Sequence, residues 1–173
     1  MQKEEFKSFI SQQSKTALPT IDWDKKRDEW LKELEGLYKT IQSFLGSYQE
    51  ISIDNKEVDI SEEYIGTYKA PSLHLQIGSN KIKFVPKGTN IIGASGRVDM
   101  EGPKGIKRLV LVEHMASAEE ALVKRYVESG MPSDGSVPAD KREWKIATPP
   151  PQVSLLPLTQ ESFFDMIVEV ING

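Results

Sequence analysis

Three observations predict an α+β fold built on an antiparallel meander sheet. Between Tyr64 and Glu113 the runs YIGTYKA, LHLQI, KIKFV, NIIGA, GRVDM and GIKRLVLVE follow one another with a turn signal between each pair. Ahead of them, Trp30, Leu31, Leu34, Leu37, Tyr38, Ile41, Phe44 and Leu45 repeat by three and four, which lays them on one stripe of a helix. Behind them, the chain ends in a second amphipathic stretch that begins at Thr159. Strands joined by short turns pair antiparallel, and a sheet with one apolar face needs a helical lid. The expectation is about six strands, covered by the long N-terminal helix and the C-terminal helix. Residues 1–173 form a single globular domain in this reading, with 1–19 as an N-terminal appendage.

Residues 3–14 predict a short helix with Phe6, Phe9 and Ile10 on one face, broken at Ala17-Leu18-Pro19. Asp22 is a fitting N-cap for the long helix, and Gly46-Ser47 offers its exit. Ile51, Ile53, Val58 and Ile60 alternate around Asp54-Asn55-Lys56, which predicts an acidic-rimmed hairpin. In LHLQI and KIKFV the apolar residues point one way, while His74, Gln76, Lys81 and Lys83 point the other. Pro86-Lys87-Gly88 suits a tight turn. Leu109-Val110-Leu111-Val112 is apolar on both faces and suits a central strand. Ser117 with Glu120 predicts a helix ending at Gly130, and residues 131–140 read as a mobile loop. Trp144 and Ile146 make a short strand, and Val153 to Leu156 another. Thr159 then caps a helix with Phe163, Phe164, Ile167, Val168 and Ile171 on its apolar face.

The net charge of −4 conceals a division. From Tyr64 to Glu113 there are eight Lys or Arg against three Asp or Glu, whereas the rest of the chain holds fourteen against twenty-three. A basic sheet in acidic surroundings attracts anionic partners locally. The chain has no cysteine, which excludes disulfides and thiolate metal sites. No run approaches the length of a spanning helix, and MQKEEFKSFI lacks the apolar core of a signal peptide. A cytoplasmic protein without membrane association is expected.

The inventory for catalysis is thin. With only His74 and His114 there is no multi-histidine site, no G-x-S-x-G elbow and no G-x-x-x-x-G-K-[ST] phosphate loop. Gly93-Ala94-Ser95-Gly96 beside Arg97 lacks the glycine spacing of a dinucleotide fingerprint and reads as a turn or bulge. Asp99, Glu101 and Glu113 are the candidate carboxylates, at the ends of two neighbouring strands where a hairpin would let them share Mg²⁺. An aspartate, a turn and an apolar strand ending in an acid resembles the PD-(D/E)xK nuclease pattern over about fifteen residues. The pattern's lysine position is Met115 here, so Lys104 or Lys107 would have to serve.

No cofactor, resident metal or catalytic set is implied, and the reading leans away from an enzyme. The expected function is a binding or accessory protein that meets a macromolecular partner through a basic sheet face. His74, Lys81, Lys83, Arg97, Lys107 and Arg108 are its candidate binding residues. A protein partner comes before a nucleic acid, because single strands need stacking aromatics and Phe84 alternates inward with Ile82. An acidic inhibitor or immunity-type protein using Glu57, Asp59, Glu62 and Glu63 is a further alternative. The stripe from Trp30 to Leu45 would also serve a homo-oligomer interface.

Overall fold

The structure of the chain, a computed structural model, describes residues 2–15, 21–91, 94–113 and 142–173. His114, the helix expected after Ser117 and the loop 131–140 lie outside the described residues. Two compact units are present: helix α1 (Lys3–Lys15) falls in one, and the sheet with its two covering helices makes the other. On α1 the stripe of Phe6, Phe9 and Ile10 stands about half exposed.

The second unit runs α2 (Trp23–Leu45), β1 (Ile51–Glu62), β2 (Gly66–Ile77), β3 (Asn80–Gly88), β4 (Gly96–Gly102), β5 (Gly105–Glu113), β6 (Arg142–Ala147), β7 (Leu155–Pro157) and α3 (Gln160–Asn172). The strands pair in chain order, each antiparallel to the next, with β1 and β7 at the open edges. The α+β meander therefore stands.

Directly opposed residues share a face, so register fixes what the helices cover. Leu73, Phe84 and Met100 lie in one row across β2, β3 and β4. Val98, Leu109 and Ile146 make another across β4, β5 and β6. All are buried, and they meet Trp30, Leu34, Leu37, Tyr38, Ile41 and Leu45 of α2 with Phe163, Met166, Ile167 and Val170 of α3. Each such side chain contributes about 1.5–3 kcal/mol by leaving water. Gly96 has to be glycine, because a Cβ there would lie 2.2 Å from the Trp30 ring. Thr159 closes the N-terminus of α3 by accepting from the Ser162 amide, while Ser162 Oγ accepts from the Thr159 amide.

The sheet splits at one place. β2 and β3 pair only from Ile77 opposite Asn80 to Leu73 opposite Phe84. Beyond that point β2 continues with β1 alone, and β3 continues with β4. Tyr38 plugs the opening, its hydroxyl donating to the Pro71 carbonyl at 2.8 Å, and the Ser72 hydroxyl donates to the Phe84 carbonyl at 2.9 Å. Past the split the β1–β2 ribbon twists enough to exchange its faces. Leu73 and Leu75 point into the core at one end, whereas Ile60 and Ala70, of opposite parity, do so at the other.

Glu62 fastens the far end of the ribbon. One carboxylate oxygen accepts from the Thr89 amide (2.6 Å), the Thr89 hydroxyl (2.8 Å) and the Asn90 amide (2.9 Å). The other accepts from the Tyr68 hydroxyl at 2.5 Å. Burial alone would raise the carboxyl pKa, but these hydrogen bonds outweigh it and hold it below the usual range. Nearby, the exposed Tyr64 stacks on Trp23 at 5.1 Å.

Four local expectations are corrected. Pro86-Lys87-Gly88 is not a tight turn: β3 runs on through Gly88, with Pro86 opposite Val98 and Gly88 opposite Arg97 across a bulge. Asp54-Asn55-Lys56 is not a turn: β1 runs straight through it, and the reversal comes at residues 63–65, with Tyr64 in the turn and Gly66 just after it at positive φ. Residues 52–57 are exposed, so their polarity marks an uncovered strand. On α3, Met166 and Val170 are buried in the stripe, while Val168 is 55% exposed. Ile91 and Ala94 form an isolated bridge rather than a strand of their own.

Candidate functional site

The face of the sheet away from α2 and α3 carries most of the predicted binding residues. On β2 it displays His74 and Gln76, directly opposite Lys83 and Lys81 of β3. On the other side of β2, Asp54 and Lys56 of β1 stand opposite His74 and Ser72. Opposed Cβ atoms in a sheet are about 5 Å apart and diagonal ones about 7 Å, so the cations Lys56 and Lys83 flank His74, with Lys81 beside them. Burial, then Lys56 and Lys83, lower the His74 pKa, while Asp54 opposes them. His74 is thus held neutral at neutral pH.

Arg97, Asp99 and Arg108 share this face further along the sheet, but the first two answer each other. Arg97 grips Asp99 with two hydrogen bonds, 2.7 and 2.8 Å, and Asp99 is only 5% exposed. Arg108 stands opposite that same aspartate, and Lys83 has Glu101 opposite it on β4. Lys107 leaves the set. It lies opposite Met100 on the helix-covered face and bridges to Glu169 of α3. The length of the turn that puts Gly102 opposite Gly105 decides this parity.

The three carboxylates do not converge. Asp99 is opposite Arg108, five residues from Glu113 along β5, a separation of about 17 Å at strand rise. The two acids also have opposite parity across that ladder: Asp99 shares the outer face with Arg108, while Glu113 shares the helix-covered face with Leu109 and Leu111. Glu101 is opposite Ile106, farther still from Glu113. Among the described residues no group of three or more His, Asp or Glu side chains is placed to hold a metal ion.

His74 does have a serine and an aspartate beside it: Ser72 Oγ lies 3.1 Å from Nε2, and Asp54 is its cross-strand neighbour. The order is wrong for nucleophilic catalysis. Ser72 is fully buried and its hydroxyl proton is committed to the Phe84 carbonyl, so Oγ meets no substrate. No known family, curated protein or solved structure matches this chain.

Lys56 belongs to the cluster, although sequence separates it from the basic stretch that begins at Tyr64. Only the straight course of β1 brings it beside His74. The acidic quartet is also divided, since Glu62 is turned onto Thr89 and Asn90, and Asp59 lies 3.8 Å from Lys69. On the helix side, a groove of about 460 Å³ runs between α2 and the ribbon. Leu31, Tyr38, Ala70 and Pro71 line it together with Asn55 and Glu57. No described helix is long and apolar enough to cross a membrane.

Proposed function

We propose that this is a non-catalytic binding protein of the cytoplasm, holding an acidic protein partner on the outer face of β1, β2 and β3. The observation that carries the proposal is the convergence of Lys56, His74, Lys81 and Lys83 on a face that neither α2 nor α3 covers. Lys81 and Lys83 are exposed, and His74 adds a ring nitrogen that becomes cationic when an anion approaches. Arg97 contributes less, because Asp99 already balances it. A flat patch of separated cations suits carboxylates spread over a protein surface, and the outer-face rows hold no aromatic platform on which bases would stack.

The test is a titration of polyglutamate peptide, single-stranded DNA and duplex DNA against the wild type and the Lys81→Glu/Lys83→Glu variant. Peptide binding that weakens with salt and disappears in the variant, with an unchanged melting midpoint, is the expected result. Tighter binding of either nucleic acid would move the partner class to nucleic acid. Binding of all three probes that survives the charge reversal would overturn the assignment of the site.

A further inference from the structure

Among the described residues β1 pairs only with β2, so its outer N–H and C=O groups form an open edge. Residues 52–57 are exposed without interruption, which means that both faces of the strand are open there as well. The sequence along this edge is Ser52-Ile53-Asp54-Asn55-Lys56-Glu57. We propose that β1 is a self-pairing edge, joining two copies of this chain antiparallel with Asn55 on the two-fold axis.

The charges select that register. In antiparallel pairing, opposed residues share a face, so a symmetric pair must place its axis at one residue. An axis at Asp54, Lys56 or Glu57 sets that charge against its own copy. An axis at Val58 sets Glu57 against Asp59, and one at Ile53 stops the paired stretch at Asn55. With the axis at Asn55, Asp54 of each copy stands opposite Lys56 of the other, so two attractive pairs form on the outer face. On the opposite face, beside the helix-side groove, the two Asn55 amides meet, and each can both donate and accept. On the helix side, Ile53 comes opposite Glu57 of the second copy. Glu57 lines the groove together with Leu31, Glu35, Tyr38, Lys39 and Pro71, so Ile53, 38% exposed in the single chain, comes to lie beside that groove in the second copy. Beyond Asp59 the strand turns into the core at Ile60 and onto Thr89 at Glu62, which limits pairing to Ile51 through Asp59.

The axis is perpendicular to the sheet, so both outer faces point the same way. The two His74–Lys83 clusters would then lie on one surface, with β3 of each copy about 24 Å apart at five strand spacings.

Self-association is read by sedimentation equilibrium and native mass spectrometry on the full chain, without any partner. The wild type should show a concentration-dependent dimer. Lys56→Asp replaces both attractive pairs with repulsive ones and should weaken the dimer about ten-fold or more. The double variant Asp54→Lys/Lys56→Asp exchanges the charges and should restore it. All these positions are exposed, and circular dichroism melts verify that each variant folds. A wild type that stays monomeric to millimolar concentration overturns the proposal. So does a dimer indifferent to Lys56→Asp, or one that the exchanged pair fails to restore.

Discussion

Glu62 offers the sharpest test of how the β1–β2 ribbon is held. Replacing it with alanine removes the acceptor for four donors: the Thr89 amide and hydroxyl, the Asn90 amide and the Tyr68 hydroxyl. Thr89 is 5% exposed, so its two donors have little access to water once the carboxylate is gone. Asn90 is exposed and Tyr68 half-buried, and both rehydrate at small cost. Hydrogen bonds to a charged group contribute about 1.5–3 kcal/mol each when buried. Counting only the two Thr89 bonds at the low end gives a loss of about 3 kcal/mol for Glu62→Ala. For a chain of this size that lowers the melting midpoint by about 6–12 °C. Glu62→Gln keeps the shape and one acceptor oxygen and should cost about 1 kcal/mol. Urea denaturation followed by tryptophan fluorescence measures both, with the slope unchanged.

The pH dependence follows from the lowered pKa of Glu62. A carboxyl with a depressed folded pKa stabilises fully above its unfolded value, about 4.3. That contribution is lost as pH falls through the folded value. The deficit of Glu62→Ala should therefore be constant at neutral pH and shrink in acid below about 4.3. A neutral-pH deficit under about 0.5 kcal/mol, within the range of an ordinary surface substitution, would refute the account. A deficit that does not change in acid would refute the role of the charge.

Two further outcomes are expected. Gly96→Ala drives a Cβ into the Trp30 ring and should cost about 1–3 kcal/mol, seen as a lower urea midpoint with altered tryptophan emission; a silent substitution would show that Trp30 is free to move. An NMR titration should place the His74 midpoint below the usual value of about 6.5, with Lys83→Gln moving it upward; an unmoved midpoint would remove Lys83 from the cluster.

The parts legible in sequence are those where one residue has one reading. The repeat from Trp30 to Leu45 admits only one helical stripe, and Ile82 and Phe84 alternating with Lys81 and Lys83 admit only one face. Thr159 is read correctly because its capping depends on its near neighbour Ser162. What stayed hidden depends on distant contacts. The apolar positions flanking Asp54-Asn55-Lys56 look alike whether the chain turns or continues, and a strand exposed on both faces carries no apolar signal. On α3 the rotation is set by Phe163 packing between Phe44 and Phe84, which buries Met166 and leaves Val168 outside. Lys107 changes face with the length of a single turn. Lys56 joins His74 only through a twelve-residue ladder.

The two edges of the sheet are unequal. β7 is three residues long, follows Pro149-Pro150-Pro151 and ends on Pro157, which has no N–H to offer a neighbour. β1 has twelve residues and no proline. A sheet that can recruit at one side only has nowhere to add a third member once that side is used. In the proposed pairing, growth through the sheet edges would therefore terminate at two chains instead of running on into a fibre.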